Sequence, residues 1–210
     1  SAWNLTMMNG LETLTLPTNV PDDISLYSAS DKTQVNASSD SIAWAVNGDD
    51  DASVAFAARL MERGVQVRVI DKATQLGEET VVRGSVVVTI TDNVNNANLV
   101  ALINETALET SLSIQNIKTG YGSGDTPEWG GDHFKLLTQP QIGLISQAGT
   151  SSNDVGVTWW SLDTHLGIRH SQLDSSAMAR TDLRRYNVLI MPSAWSVSDA
   201  TADALKDWVE

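Results

Sequence analysis

Apolar residues along this chain recur at two spacings, and the switches between them mark out its elements. Leu11, Thr13 and Thr15 fall on one face and Leu14 and Leu16 on the other before Pro17, which suits a short strand ended by proline, and a polar loop follows to about Ser39. At 42–46 the run Ile42, Ala43, Trp44, Ala45, Val46 is continuous, as in a strand buried on both faces. Asn47, Gly48 and Asp49 turn the chain, and Asp50 or Asp51 is placed to cap a helix. In that helix Val54, Ala58 and Met61 share a face, with Ala57 and Leu60 beside them. Gly64 suits the left-handed residue that closes it, and 65–70 alternates as the next strand. Strand-like runs at 81–82 and 85–91 flank Arg83 and Gly84. A second helix is predicted over 95–110 from Leu99, Leu102, Ile103 and Thr106, and then a strand over 112–117.

Glycines 120, 122, 124, 130 and 131, with Pro127, make 120–131 the best linker. This stretch lacks the lysine and the serine or threonine of a phosphate loop. Past it the pattern becomes a repeating strand–helix alternation. Ile142, Gly143, Leu144 and Ile145 form a strand, and Ser152 or Asn153 caps a helix with Val155, Trp159, Leu162 and Leu166 on one stripe. A short strand at 170–173 and another at 188–191, ended by Pro192, precede a helix capped by Ser198 and striped by Ala202, Leu205 and Trp208. The alternation stops inside that helix, so the sequence reads as a piece of something larger. The pattern predicts an α/β fold in two domains: a small mixed α/β domain over 1–137, and an incomplete three-layer domain over 138–210.

Composition narrows the classes. The 210 residues carry 26 acids against 13 bases, a formal charge of −13, which disfavours nucleic acid and anionic membrane surfaces. There is no cysteine, hence no disulfide, thiolate metal site or cysteine nucleophile. No stretch approaches the ~20 apolar residues of a membrane span, and the first residues carry no signal-peptide core.

Several local patterns, taken in order, carry a likeness. They are Ser1-Ala2-Trp3-Asn4-Leu5, Met8-Asn9-Gly10-Leu11-Glu12, Arg63-Gly64-Val65-Gln66-Val67-Arg68-Val69 and Arg83-Gly84-Ser85-Val86-Val87-Val88. Then come Pro140-Gln141-Ile142-Gly143-Leu144-Ile145 and Gly149-Thr150-Ser151-Ser152-Asn153-Asp154-Val155-Gly156, and Trp159 with Leu162-Asp163. Last is Asp182-Leu183-Arg184-Arg185-Tyr186-Asn187-Val188-Leu189-Ile190-Met191-Pro192-Ser193. Together they resemble the region after the catalytic domain of large bacterial secreted zinc-carboxypeptidase-like proteins. In that family the last part is a flavodoxin-like layer similar to class I glutamine amidotransferases. The resemblance implies a secreted or periplasmic parent with zinc in a peptidase domain upstream, which would be this region's partner, and a peptide or cell-wall substrate.

The resemblance brings no chemistry to these residues. Peptidases of that kind hold zinc through a His, a Glu three places on and a distant His. Here His133 is followed three places on by Leu136, His165 by Ile168 and His170 by Leu173. An amidotransferase needs a cysteine elbow, and by the family's order any elbow lies past Glu210. The expectation is therefore a non-catalytic accessory region with no cofactor of its own. Alternatives are an amidotransferase- or hydrolase-like domain with its nucleophile beyond residue 210, or a small-ligand binding module.

The binding candidates follow from the rule that open α/β sheets bind ligands beyond the C-terminal ends of their strands. One loop holds Gly149, Thr150, Ser151, Ser152 and Asn153, whose hydroxyls and helix start suit a carboxylate or a sugar oxygen, though the same residues serve as ordinary helix caps. The other holds Ser193 and Trp195, a ring suited to stacking on a ligand or, the favoured reading, to covering the domain boundary. Asp49 and Asp51 are weighed as a calcium site and read as a solvated cap loop. His165 and His170 are read as structural, and Trp159 and Trp160 as one core ring and one flank ring.

Overall fold

A computed structural model describes residues 35–209. The strand expected at 11–16 and the motifs of residues 1–12 lie outside the described residues. Residues 35–209 form one compact unit. Strand β1 (Ala43–Val46) leads through helix α1 (Ala52–Glu62) to β2 (Arg68–Ile70). A hairpin of β3 (Thr74–Leu76) and β4 (Glu79–Val81) follows, then β5 (Val86–Thr89), α2 (Leu99–Thr110), β6 (Gln115–Ile117) and β7 (Phe134–Leu136).

Five of these strands make one sheet in the order β6-β1-β5-β2-β7, with every neighbouring pair antiparallel. β1 and β2 both oppose β5, so they run parallel to each other with β5 inserted between them. β5 and β6 straddle β1 in the same way. The result is two interlocked split β-α-β units, the ferredoxin-like arrangement, with β7 added at the β2 edge.

Both faces of this sheet are covered, which explains why β1 and β5 bury all four of their residues. Successive strand side chains point to opposite faces. Trp44, Val46, Val86 and Val88 pack under the helices with Phe56, Leu60 and Ile103. Ala43, Ala45 and Val87 face the other way, onto Leu76 and Val81 of the hairpin and onto Phe134. The buried indole of Trp44 is satisfied by donating to Ser38 O at 3.0 Å.

The second half adds β8 (Ile142–Ser146), α3 (Ser152–Trp160), β9 (His170–Asp174), β10 (Val188–Ile190) and α4 (Asp199–Val209). Its sheet has the order β10-β8-β9, and both pairs are parallel. Numbered along the chain the order is 2-1-3, so the path reverses at β8. α4 packs through Ala204, Leu205 and Trp208 onto Ile145, Leu173 and Met178. The opposite face meets α1, where Ala58 joins Ile142, Leu162 and Ile168 in one cluster. An ion pair reinforces that seam, Glu62 with Arg169 at 3.0 Å, and Arg59 donates to His165 O at 3.3 Å.

Mixed α/β architecture is thus what the molecule has, and several local expectations change. The stretch 120–131 packs instead of linking. Thr74 Oγ1 donates to Pro127 O at 2.5 Å, Trp129 N–H donates to Gly120 O at 2.8 Å, and the Trp129 ring lies 5.3 Å from Phe134. The strand expected over 65–70 pairs only from Arg68, although Val65 and Val67 are buried. The one expected over 112–117 pairs only from Gln115. The expected core ring of the Trp159–Trp160 pair is absent, since these residues are 39% and 54% exposed. Past Trp160 the helix widens into a π turn, Ser161–Leu166, which turns Leu162 and Leu166 inward and leaves both tryptophans out.

Candidate functional site

The C-terminal ends of β8, β9 and β10 open onto a cavity of about 300 Å³ at the point where the strand order reverses. The loop leaving β8 makes one wall. Gln147 and Gly149 take positive φ values of 69° and 79°, and Thr150 closes the turn by donating from both N–H and hydroxyl to Gln147 O, at 2.9 and 2.7 Å. A side chain on Gly149 would strike the carbonyl oxygen of Ser196, so only glycine fits.

The loop leaving β10 makes the facing wall and is stitched to the first. Ser151 N–H donates to Ser193 O at 2.8 Å, Trp195 N–H donates to Gly149 O at 2.9 Å, and Thr150 bridges Ala194. The third wall is Ser175 and Ser176, just past β9, and the start of α4 contributes Ser198 and Thr201. Ile145 and Met191 supply apolar lining. Ser175's hydroxyl donates to Ala148 O, tying the β9 end to the β8 loop.

The expected residues are brought together unequally. Thr150 lines the cavity, while Gly149 and Ser193 hold the two loops in register. Ser151 is the N-cap of α3, accepting from Asp154 N–H at 3.4 Å, and Ser152 and Asn153 are exposed on that helix's first turn. Trp195 contributes its backbone, and its ring is 73% exposed instead of covering a boundary. Ser175, Ser176, Ser198 and Thr201 were not anticipated. The strand-end rule applies to β9 as much as to its neighbours, and that is the signal that points to the first two.

Among the described residues no basic side chain lines the cavity. Asp174 stands beside it at the end of β9. Hydrogen bonds from the hydroxyl and N–H of Ser176, with help from Arg180, hold its carboxyl below the usual range.

The other candidates resolve into structural roles. Asp50 caps α1 by accepting from Ala52 N–H at 3.0 Å, and Asp49 and Asp51 stay exposed. His133 meets Asp71 at 2.6 Å, and this contact is the main reason that Asp71's carboxyl lies below its ordinary range. His165 stacks on Trp160, with centroids 6.2 Å apart, and His170 Nδ1 faces Ile168 O. Among the described residues no group of three or more His, Cys, Asp or Glu is placed to hold a metal. Among the same residues no helix is long and apolar enough to cross a membrane.

Comparison with known proteins returns no match, whether against family models, curated proteins or solved structures.

Proposed function

We propose that this chain is a non-catalytic accessory module of a secreted zinc-carboxypeptidase-like protein, and that it binds a small polar ligand where β8 and β10 diverge. One observation carries the binding part: a cavity walled by three strand-end loops at the switch point of a parallel sheet, where α/β proteins hold their ligands. The strand order 2-1-3 is also how a flavodoxin-like sheet begins, which supports the flavodoxin-like, amidotransferase-like reading of this half.

A binding role fits the hydroxyls better than a catalytic one. Thr150 and Ser175 donate to carbonyl oxygens, which cannot take up a proton, so neither is activated as a nucleophile. The parent's zinc would belong to its peptidase domain, and this module's ligand to the same peptide or cell-wall substrate.

The test is an NMR titration of the chain with short peptides and amino-sugar disaccharides. Shifts confined to the amides of 147–151, 175–176 and 194–201 are the expected result. Shifts elsewhere, or none at millimolar ligand, would sink the proposal.

A further inference from the structure

The direction of the hydrogen bonds around the cavity narrows what it can take. A carbonyl oxygen only accepts, so a hydroxyl bonded to one has its proton committed there. Thr150 donates to Gln147 O at 2.7 Å, Ser175 to Ala148 O, and Thr201 to Ser175 O at 2.9 Å. With Thr201's proton so placed, the 2.9 Å contact between Ser198 and Thr201 has Ser198 donating. Ser176 donates to Asp174 at 2.8 Å. What these hydroxyls have left for a guest is lone pairs.

Several of the backbone donors at the rim are committed too, though those of Ala194, Ser196, Val197 and Ser198 are not. The N–H groups of Thr150, Ser151 and Trp195 bind the loop carbonyls, and Thr201 N–H binds Ser198. Both adjoining helices have serine caps, Ser151 on α3 and Ser198 on α4, and carry Asp154 and Asp199 in their first turns. Among the described residues no basic side chain lines the cavity, and Arg180 acts on Asp174 from outside it, so an anion would meet hydroxyl lone pairs beside carboxylates with no cation in the lining. Among the described residues, Ser196 is the lining residue whose hydroxyl keeps a proton to offer.

We infer that the cavity recognises a primary ammonium group, held by the lone pairs of Thr150, Ser175 and Thr201 and by the field of Asp174. This rests on the cavity being a ligand site, as proposed above, and adds the sign of the ligand.

Three probes of nearly equal size separate the two ideas: ethanolamine, ethylene glycol and glycolate, titrated into the chain at neutral pH with amide shifts as readout. Ethanolamine is expected to bind about tenfold tighter than the diol, as hydrogen bonds to charged groups exceed neutral ones, and glycolate weakest. Glycol or glycolate binding as tightly as ethanolamine overturns the ammonium inference and leaves the site standing. Absence of any shift at Thr150, Ser175 and Thr201 with all three overturns the site as well. Ser175→Ala controls for simple attraction to a chain of charge −13. It is expected to weaken ethanolamine about fivefold and the diol by less, as hydrogen bonds to charged groups exceed neutral ones. Unchanged ethanolamine affinity in this variant, shown folded by its spectrum, would mean net charge alone and overturns the inference.

Discussion

Arg68 shows how a single side chain organises its surroundings. Its guanidinium grips Asp92 with two bonds, 2.6 and 2.9 Å, and donates a third at 2.8 Å to Phe134 O, pinning edge strand β7 to β2. The paired side chains are 26% and 14% exposed, so the pair lies between the solvated and fully buried cases. Arg68 is the main cause that holds Asp92's carboxyl below its ordinary value. A depressed folded pKa adds stability above the unfolded value, about 3.9, and loses it as pH falls through the folded one. Asp92→Asn is therefore expected to cost about 1–2 kcal/mol at pH 7, with the gap to the parent chain narrowing below pH ~4. Urea unfolding at both pH values checks it. Gly149→Ala meets both a φ of 79° and the Ser196 carbonyl, and is expected to cost about 2 kcal/mol and to abolish ligand-induced shifts.

Among the elements, the β3–β4 hairpin and β7 are instructive. The β3–β4 hairpin joins Thr74–Leu76 to Glu79–Val81 through Gly77, whose φ is 63°. A two-residue turn with glycine first is a readable hairpin signal, and the flanks alternate Thr74/Leu76 and Glu79/Val81. β7 has only the alternation of Phe134, Lys135 and Leu136, too short to signal a strand without β2 beside it. α4 was legible from its cap, and the cap forms: Thr201 N–H donates to Ser198 Oγ at 3.2 Å. Ser198→Ala is expected to cost about 1 kcal/mol and to speed hydrogen exchange at Thr201 and Ala202 while leaving α3 unchanged.

Across the whole molecule, the two sheets share a seam. Ala58 of α1 lies 4% exposed within the cluster of Ile142, Leu162 and Ile168, flanked by the Glu62–Arg169 pair. Burial common to both halves couples their unfolding. One transition is expected for the described region, coincident in far-UV circular dichroism and tryptophan fluorescence. Ala58→Arg places a charge in that seam and is expected to split the transition in two, with the three-stranded sheet melting first. Two transitions in the unmodified chain, or one in the variant, would contradict this.

Local pattern determined much of this protein: the buried runs of β1, β5 and β8, the Ser198 cap of α4, the left-handed Gly64, the acidic composition and the strand-end loop at Gly149, whereas α2 starts at Leu99 and not at 95, and Ser151, not Ser152 or Asn153, caps α3. Each depends on contacts within a turn or two of chain, or on burial of a side chain whatever its partner. Pairing order does not. That β5 lies between β1 and β2, and that β7 closes the edge, depends on contacts among residues tens of positions apart. The π turn past Trp160 likewise follows from seating Leu162 and Leu166 against α1, since a regular α stripe would have sent Trp159 inward. The cavity belongs to the tertiary structure most of all. Its walls come from 148–150, 175–176 and 194–201, and only the parallel order of β10, β8 and β9 brings those ends to one place.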